Sequence, residues 1–144
     1  MADKAKVLVV ANRTAGSPEL LSALRERSEE GDAVFHLVVP ASPRGASWMF
    51  DMNSGHDAAE DDLDGALERI RELGLEVDGE VGDPDPVAAV SDSAHAGGYD
   101  EVIVSTLPKH LSKWLKLDVA RKIAHATGLP VTHVEAHSRS KSTA

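Results

Sequence analysis

The residues best equipped for chemistry stand together just after the apolar run Val102-Ile103-Val104: Ser105, Thr106, Pro108, Lys109, His110, Ser112 and Lys113. Hydroxyls donate hydrogen bonds, lysine supplies a point charge, and imidazole titrates near neutrality. Such groups at the carboxyl end of a strand suit a small phosphorylated anion, because parallel sheets bind ligands outside that end of their strands. No glycine lies between Gly98 and Gly128. Loops that wrap phosphate with backbone amides need glycine for positive φ, so side chains would have to carry the contact. From Ser105 to His125 five Lys or Arg residues face one acid, Asp118, in a chain that is otherwise acidic. Two readings of that reversal stand: the cations address an anion, or they solvate the outer face of the last helix.

A second loop belongs with the first. Val7 to Ala11 is an apolar run followed by Asn12, Arg13, Thr14 and the breaker Gly16. Asn12 suits a hydrogen bond to a purine or ribose, or the closing of its own turn. The candidate ligand-binding residues are therefore Ala11, Asn12, Arg13, Val39, Ser105, Thr106, Lys109, His110, Ser112 and Lys113. Trp48 and Phe50 lie in a long segment between Ala41 and Asp57 that would either cover a bound base or plug the core. His133 and His137 have a zinc-like spacing with no third ligand in view, and there is no cysteine, so no metal site is expected. No G-x-S-x-G elbow, Walker loop or H-E-x-x-H pair occurs, so the chain is not expected to be an enzyme.

The elements that must position these loops follow from periodicity. Val7 to Ala11 and Val34 to Val39 read as buried strands, with Pro40 closing the second. Ser17 caps a helix that Pro18 opens, with Leu20, Leu21 and Leu24 on its buried face and Gly31 at its end. Asp57, Glu60, Asp61, Asp62 and Asp64 crowd the start of the next helix, whose stripe is Leu63, Leu67 and Ile70. A third strand covers Leu75 to Val81; Asp83 and Pro84 then open a helix that Gly97 and Gly98 close. The fourth strand is Glu101 to Val104, a helix runs from about Leu115 to Ala126, and Val131 to Val134 is the fifth strand. Strands alternating with helices imply parallel pairing with right-handed crossovers, hence an α/β three-layer sandwich. Residues 1–137 form the expected single domain and 138–144 a disordered tail.

Composition sets the outer limits. With 144 residues and 3% aromatic content, one core must be built from Val, Leu, Ile and Ala. A formal charge of −9 opposes general attraction to nucleic acid or to an anionic membrane. Met1 to Lys4 leads directly into a strand-like run, so a cytoplasmic location is expected.

Between Lys6 and His137 the chain resembles the universal stress proteins. The resemblance rests on VLVVAN in the first strand, VGDPDPVAAV after the third, YDEVIVST in the fourth, HLSKWLKLDVARKIA and TGLPVTHV. It implies an adenine nucleotide alpha hydrolase-like fold, a five-stranded parallel sheet of order 3-2-1-4-5, and a crevice between strands 1 and 4 that takes ATP or AMP. It further implies a regulatory role and a homodimer paired through the last strand. Where nucleotide-binding members carry G-x-x-G, nine residues and G-[ST], this chain has Val104, Leu107, Leu117 and Asp118; a family Asp corresponds to Asn12. A divergent member without the glycine-rich motif is implied. The alternative is a homodimeric interaction module that binds no nucleotide, its crevice closed by Leu107, Leu117 and the Trp48 segment.

Overall fold

Four consecutive residues of the first strand, Val7, Leu8, Val9 and Val10, have no solvent exposure. A strand turns successive side chains to opposite faces, so such a run requires cover on both sides of a sheet. The computed structural model describes residues 4–11, 14–41, 54–83, 85–106 and 118–136. Within them the elements are β1 (Ala5–Val10), α1 (Pro18–Glu30), β2 (Ala33–Pro40), α2 (Ser54–Glu72), β3 (Glu76–Gly82), α3 (Pro86–Gly97), β4 (Glu101–Thr106), α4 (Val119–Thr127) and β5 (Val131–Glu135). The sheet is parallel throughout, in the order β3-β2-β1-β4-β5. The α/β class is as the alternation of strands and helices implies, and the strand order 3-2-1-4-5 is as the family resemblance implies.

Two apolar layers flank the sheet. Val7, Val9, Leu37, Val39 and Ile103 meet Leu20 and Leu24 of α1 and Leu63, Leu67 and Ile70 of α2. Leu8, Val10, Val38, Val102 and Val104 meet Val90 of α3 and Val119 and Ile123 of α4. Full burial of each such aliphatic side chain contributes about 1.5–3 kcal/mol. Strand β3 has no room for a side chain at Gly79, where an added Cβ would lie 2.6 Å from the Leu37 carbonyl oxygen of β2 and 2.7 Å from Leu63 of α2.

Helix starts follow local capping. The Ser17 hydroxyl accepts from the Leu20 amide at 3.2 Å, with Pro18 in the first turn of α1. Helix α3 begins later than the expected Asp83-Pro84, because Asp83 spends its carboxylate on the Asp85 amide (2.9 Å) and Asp85 in turn accepts from the Val87 amide (3.0 Å). The second Asp-Pro step thus supplies the cap. Helix α2 begins at Ser54, before Asp57, so the acidic cluster spans its early turns, with Glu60, Asp61 and Asp64 on the solvent side.

Two corrections bear on the site. Strand β4 does not stop at Val104: Ser105 and Thr106 continue it, in register with Val134 and Glu135 of β5. They are strand residues and not loop residues. Helix α4 opens at Val119 and not near Leu115, because Asp118 has φ 57°, ψ 44°, a left-handed conformation that a right-handed helix cannot contain. Residues 107–117 and 138–144 lie outside the described residues, and with them Trp114 and the expected tail; so do Trp48, Phe50 and His137.

Candidate functional site

In this strand order the chain leaves β1 for α1 on one face and leaves β4 for α4 on the other. Their carboxyl ends, paired side by side from Val7↔Glu101 to Val10↔Val104, form the point where the connections diverge to opposite faces, the place where open α/β sheets bind ligands. Ala11 remains tied to β2 by its amide to the Val38 carbonyl at 3.2 Å. A turn follows, closed by the Ser17 amide on the Thr14 carbonyl at 3.0 Å.

Thr14 joins the two candidate segments. Its Oγ1 shares a 2.6 Å hydrogen bond with Ser105 Oγ, and the two residues are 2% and 0% exposed. The turn after β1 and the end of β4 therefore touch, through hydroxyls that satisfy each other. One hydroxyl of such a pair keeps its own hydrogen free. From α2, Arg69 reaches over and donates from a guanidinium nitrogen to the Gly16 carbonyl at 3.1 Å, which brings a cation to the same turn.

Thr106 is directed elsewhere. Ser105 shares the face of Ile103 and the α1–α2 layer, whereas Thr106 shares that of Val102 and Val104 and the α3–α4 layer. Its Oγ1 shares a 2.7 Å hydrogen bond with Nε2 of His133 on β5. The two adjacent hydroxyls thus serve opposite faces.

Ala11, Val39 and Ser105 have no exposure, and Val39 belongs to the α1–α2 layer. A ligand would reach them only by displacing neighbouring chain. Asn12, Arg13, Lys109, His110, Ser112 and Lys113 lie outside the described residues. Of the basic residues nearer α4, Arg121 and Lys122 are exposed, with Arg121 paired to Asp118 at 3.1 Å, which is the solvated-face arrangement for those two. Among the described residues no group of His, Cys, Asp and Glu is arranged to hold a metal ion. Sequence reasoning passed over Thr14 and Arg69. Thr14 was legible as a hydroxyl inside a flagged turn; Arg69, 53 residues from Gly16 along the chain, carried no local signal.

No protein-family model and no curated protein matches the chain. Solved structures do. A universal stress protein from Archaeoglobus fulgidus in complex with dAMP is 17% identical, covers 93% of this chain and 99% of its own, and superposes with a TM-score of 0.65. An Arabidopsis thaliana universal stress protein family protein with AMP bound is 14% identical, covers 96% of each chain, and gives 0.67. A universal stress protein in complex with cAMP is 17% identical, covers 94% of this chain and 100% of its own, and gives 0.64. The chain has the universal stress protein fold.

Proposed function

We propose that this chain is a divergent universal-stress-protein-like regulatory domain, cytoplasmic and not catalytic, whose crevice between β1 and β4 takes an adenine nucleotide or another small phosphorylated anion. The observation that carries this reading is the Thr14–Ser105 contact, which joins the two switch-point segments. The adenine nucleotides bound by structural neighbours of this chain support it. In this reading the ligand displaces the chain that covers Ala11 and Ser105, Ser105 then offers its hydroxyl, Asn12 and Arg13 line the crevice, and Lys109 and Lys113 face phosphate. Neither nucleic acid nor membrane is a partner, in keeping with the charge of −9. No helix among the described residues is long and apolar enough to cross a membrane.

Calorimetric titration with ATP, AMP and cAMP, paired with thermal unfolding, tests the proposal. A ligand present at a hundred times its Kd stabilises the fold by about 2.7 kcal/mol. Ser105→Ala and Lys109→Ala weaken binding, whereas Lys122→Ala, on the exposed face of α4, does not. No heat and no thermal shift at millimolar ligand overturns the reading.

Full burial of Thr14 and Ser105 favours the other reading, a closed crevice in a dimerising module. Strand β5 ends the sheet with Thr132 and His133 exposed, and an edge of this kind is a template for pairing with a second copy. A monomer by sedimentation at tens of micromolar removes it.

A further inference from the structure

A polar cluster on the α3 side of β2 and β3 takes no part in the crevice. His36 of β2 lies opposite Asp78 of β3, and its side chain is 17% exposed. Nδ1 is 2.8 Å from Asp78 Oδ1 and Nε2 is 3.0 Å from Glu80 Oε2. Glu80 Oε2 also accepts from the hydroxyl of Ser93, a buried residue of α3, at 3.0 Å. Tyr99 lies beside the imidazole at 6.0 Å between ring centres, and Lys6 Nζ stands 4.9 Å from the centre of the Tyr99 ring.

A neutral imidazole has one N–H and one lone pair. It can donate to one of these carboxylates but would then turn its lone pair toward the other. Only the imidazolium donates to both, and both contacts are then charge-assisted. The geometry therefore selects a protonation state on hydrogen-bond grounds alone.

We propose that His36, Asp78 and Glu80 form a proton-operated clasp that, while closed, fixes edge strand β3 to β2 and α3, and that frees this edge when His36 loses its proton. Strand β3 presents Asp78 and Glu80, with Glu76 further along and engaged by Lys4 at 2.8 Å. Strand β1 presents Lys6, held over Tyr99; α3 presents the uncharged Ser93; α2 packs on the opposite face of β3. The nearest opposing charges to His36 are thus the two carboxylates.

The direction of titration agrees. Burial pulls the His36 pKa down, but the hydrogen bonds and charges of Glu80 and Asp78 outweigh it and hold it above 6.5. A group whose folded pKa is raised lends stability in full below its unfolded value, and that stability is lost as pH rises through the folded value. The clasp is closed at pH 6.5 and opens on the alkaline side. Its opening reaches the rim of the sheet, because two residues beyond Glu80 the Gly82 carbonyl accepts the Ala41 amide at 3.0 Å.

Native-state hydrogen exchange of β3 between pH 6 and 9, corrected for the intrinsic exchange rate, together with an NMR titration of the His36 ring, decides the matter. Above pH 6.5 the opening constant of β3 rises by up to about tenfold per pH unit and levels once the ring has titrated, while β1 stays protected. His36→Gln removes the step; Asp78→Asn or Glu80→Gln shrinks it and moves it to lower pH. A flat β3 profile while the ring titrates, or a step that survives in His36→Gln, overturns the clasp. If that variant does not fold, the wild-type ring decides: titration at or below 6.5 overturns it.

Discussion

The Thr14–Ser105 contact separates a hydroxyl used by the fold from one kept for a ligand. At 2.6 Å, with exposures of 2% and 0%, neither group has water as a substitute partner. A neutral hydrogen bond contributes about 0.5–1.5 kcal/mol net, but orphaning a buried hydroxyl costs about 1–3 kcal/mol. Ser105→Ala should therefore cost about 1–3 kcal/mol and Thr14→Val a similar amount. The double variant leaves no orphan and should fall short of the sum by about 1–2 kcal/mol, well beyond the ~0.3–0.5 kcal/mol scatter of independent sites. Urea unfolding followed by circular dichroism measures all four proteins, and about 2–4 °C of Tm per kcal/mol gives a second readout in a chain of this size. Additive losses, or a Ser105→Ala protein as stable as wild type, would refute the pairing. If that stable variant also lost nucleotide binding, the hydroxyl would belong to the ligand.

Other positions give independent checks. Gly79→Ala places a Cβ 2.6 Å from the Leu37 carbonyl oxygen and 2.7 Å from Leu63, so the urea midpoint should fall by the equivalent of about 1–3 kcal/mol. Asp118→Gly relieves a left-handed residue at φ 57° that makes no side-chain cap, and should raise Tm by the equivalent of about 1 kcal/mol. The Arg121 pair it removes is exposed and offsets little of that gain. The hydrogen bond from His36 holds the Glu80 carboxyl below 4.5, so its contribution is present above pH 4.5 and is lost as pH falls through the folded value. Acid unfolding of Glu80→Gln should accordingly be less steep than that of wild type.

The strands were legible because their burial is written in consecutive apolar residues. Val7 to Val10 and Val102 to Val104 allow little other than a sheet covered on both faces. Boundaries were less legible wherever polar residues are used inside an element. Ser105 and Thr106 look like loop but pair with β5, and of two Asp-Pro steps only the hydrogen bonds show which one caps α3. The His36 cluster had no signature in one dimension. Asp78 and Glu80 share a face by strand alternation, but that His36 stands across from them depends on the β2–β3 register.

Alternation also limits what the end of β4 can offer. Because Ser105 turns toward Thr14 and Thr106 toward His133, a ligand lying on one face of the switch point meets one of these hydroxyls and not both. The basic Ser105-to-Lys113 segment therefore cannot act as a run of adjacent donors from its first residue. Any phosphate contact on the Ser105 side must draw on that one hydroxyl, on the turn held by Arg69, and on residues beyond Thr106. Ser105→Ala and Thr106→Val should then differ: the first weakens a nucleotide bound on the α1 side, whereas the second affects only the hold of β4 on β5. Equal losses of affinity from the two would mean that the ligand spans the end of the sheet instead of lying on one face.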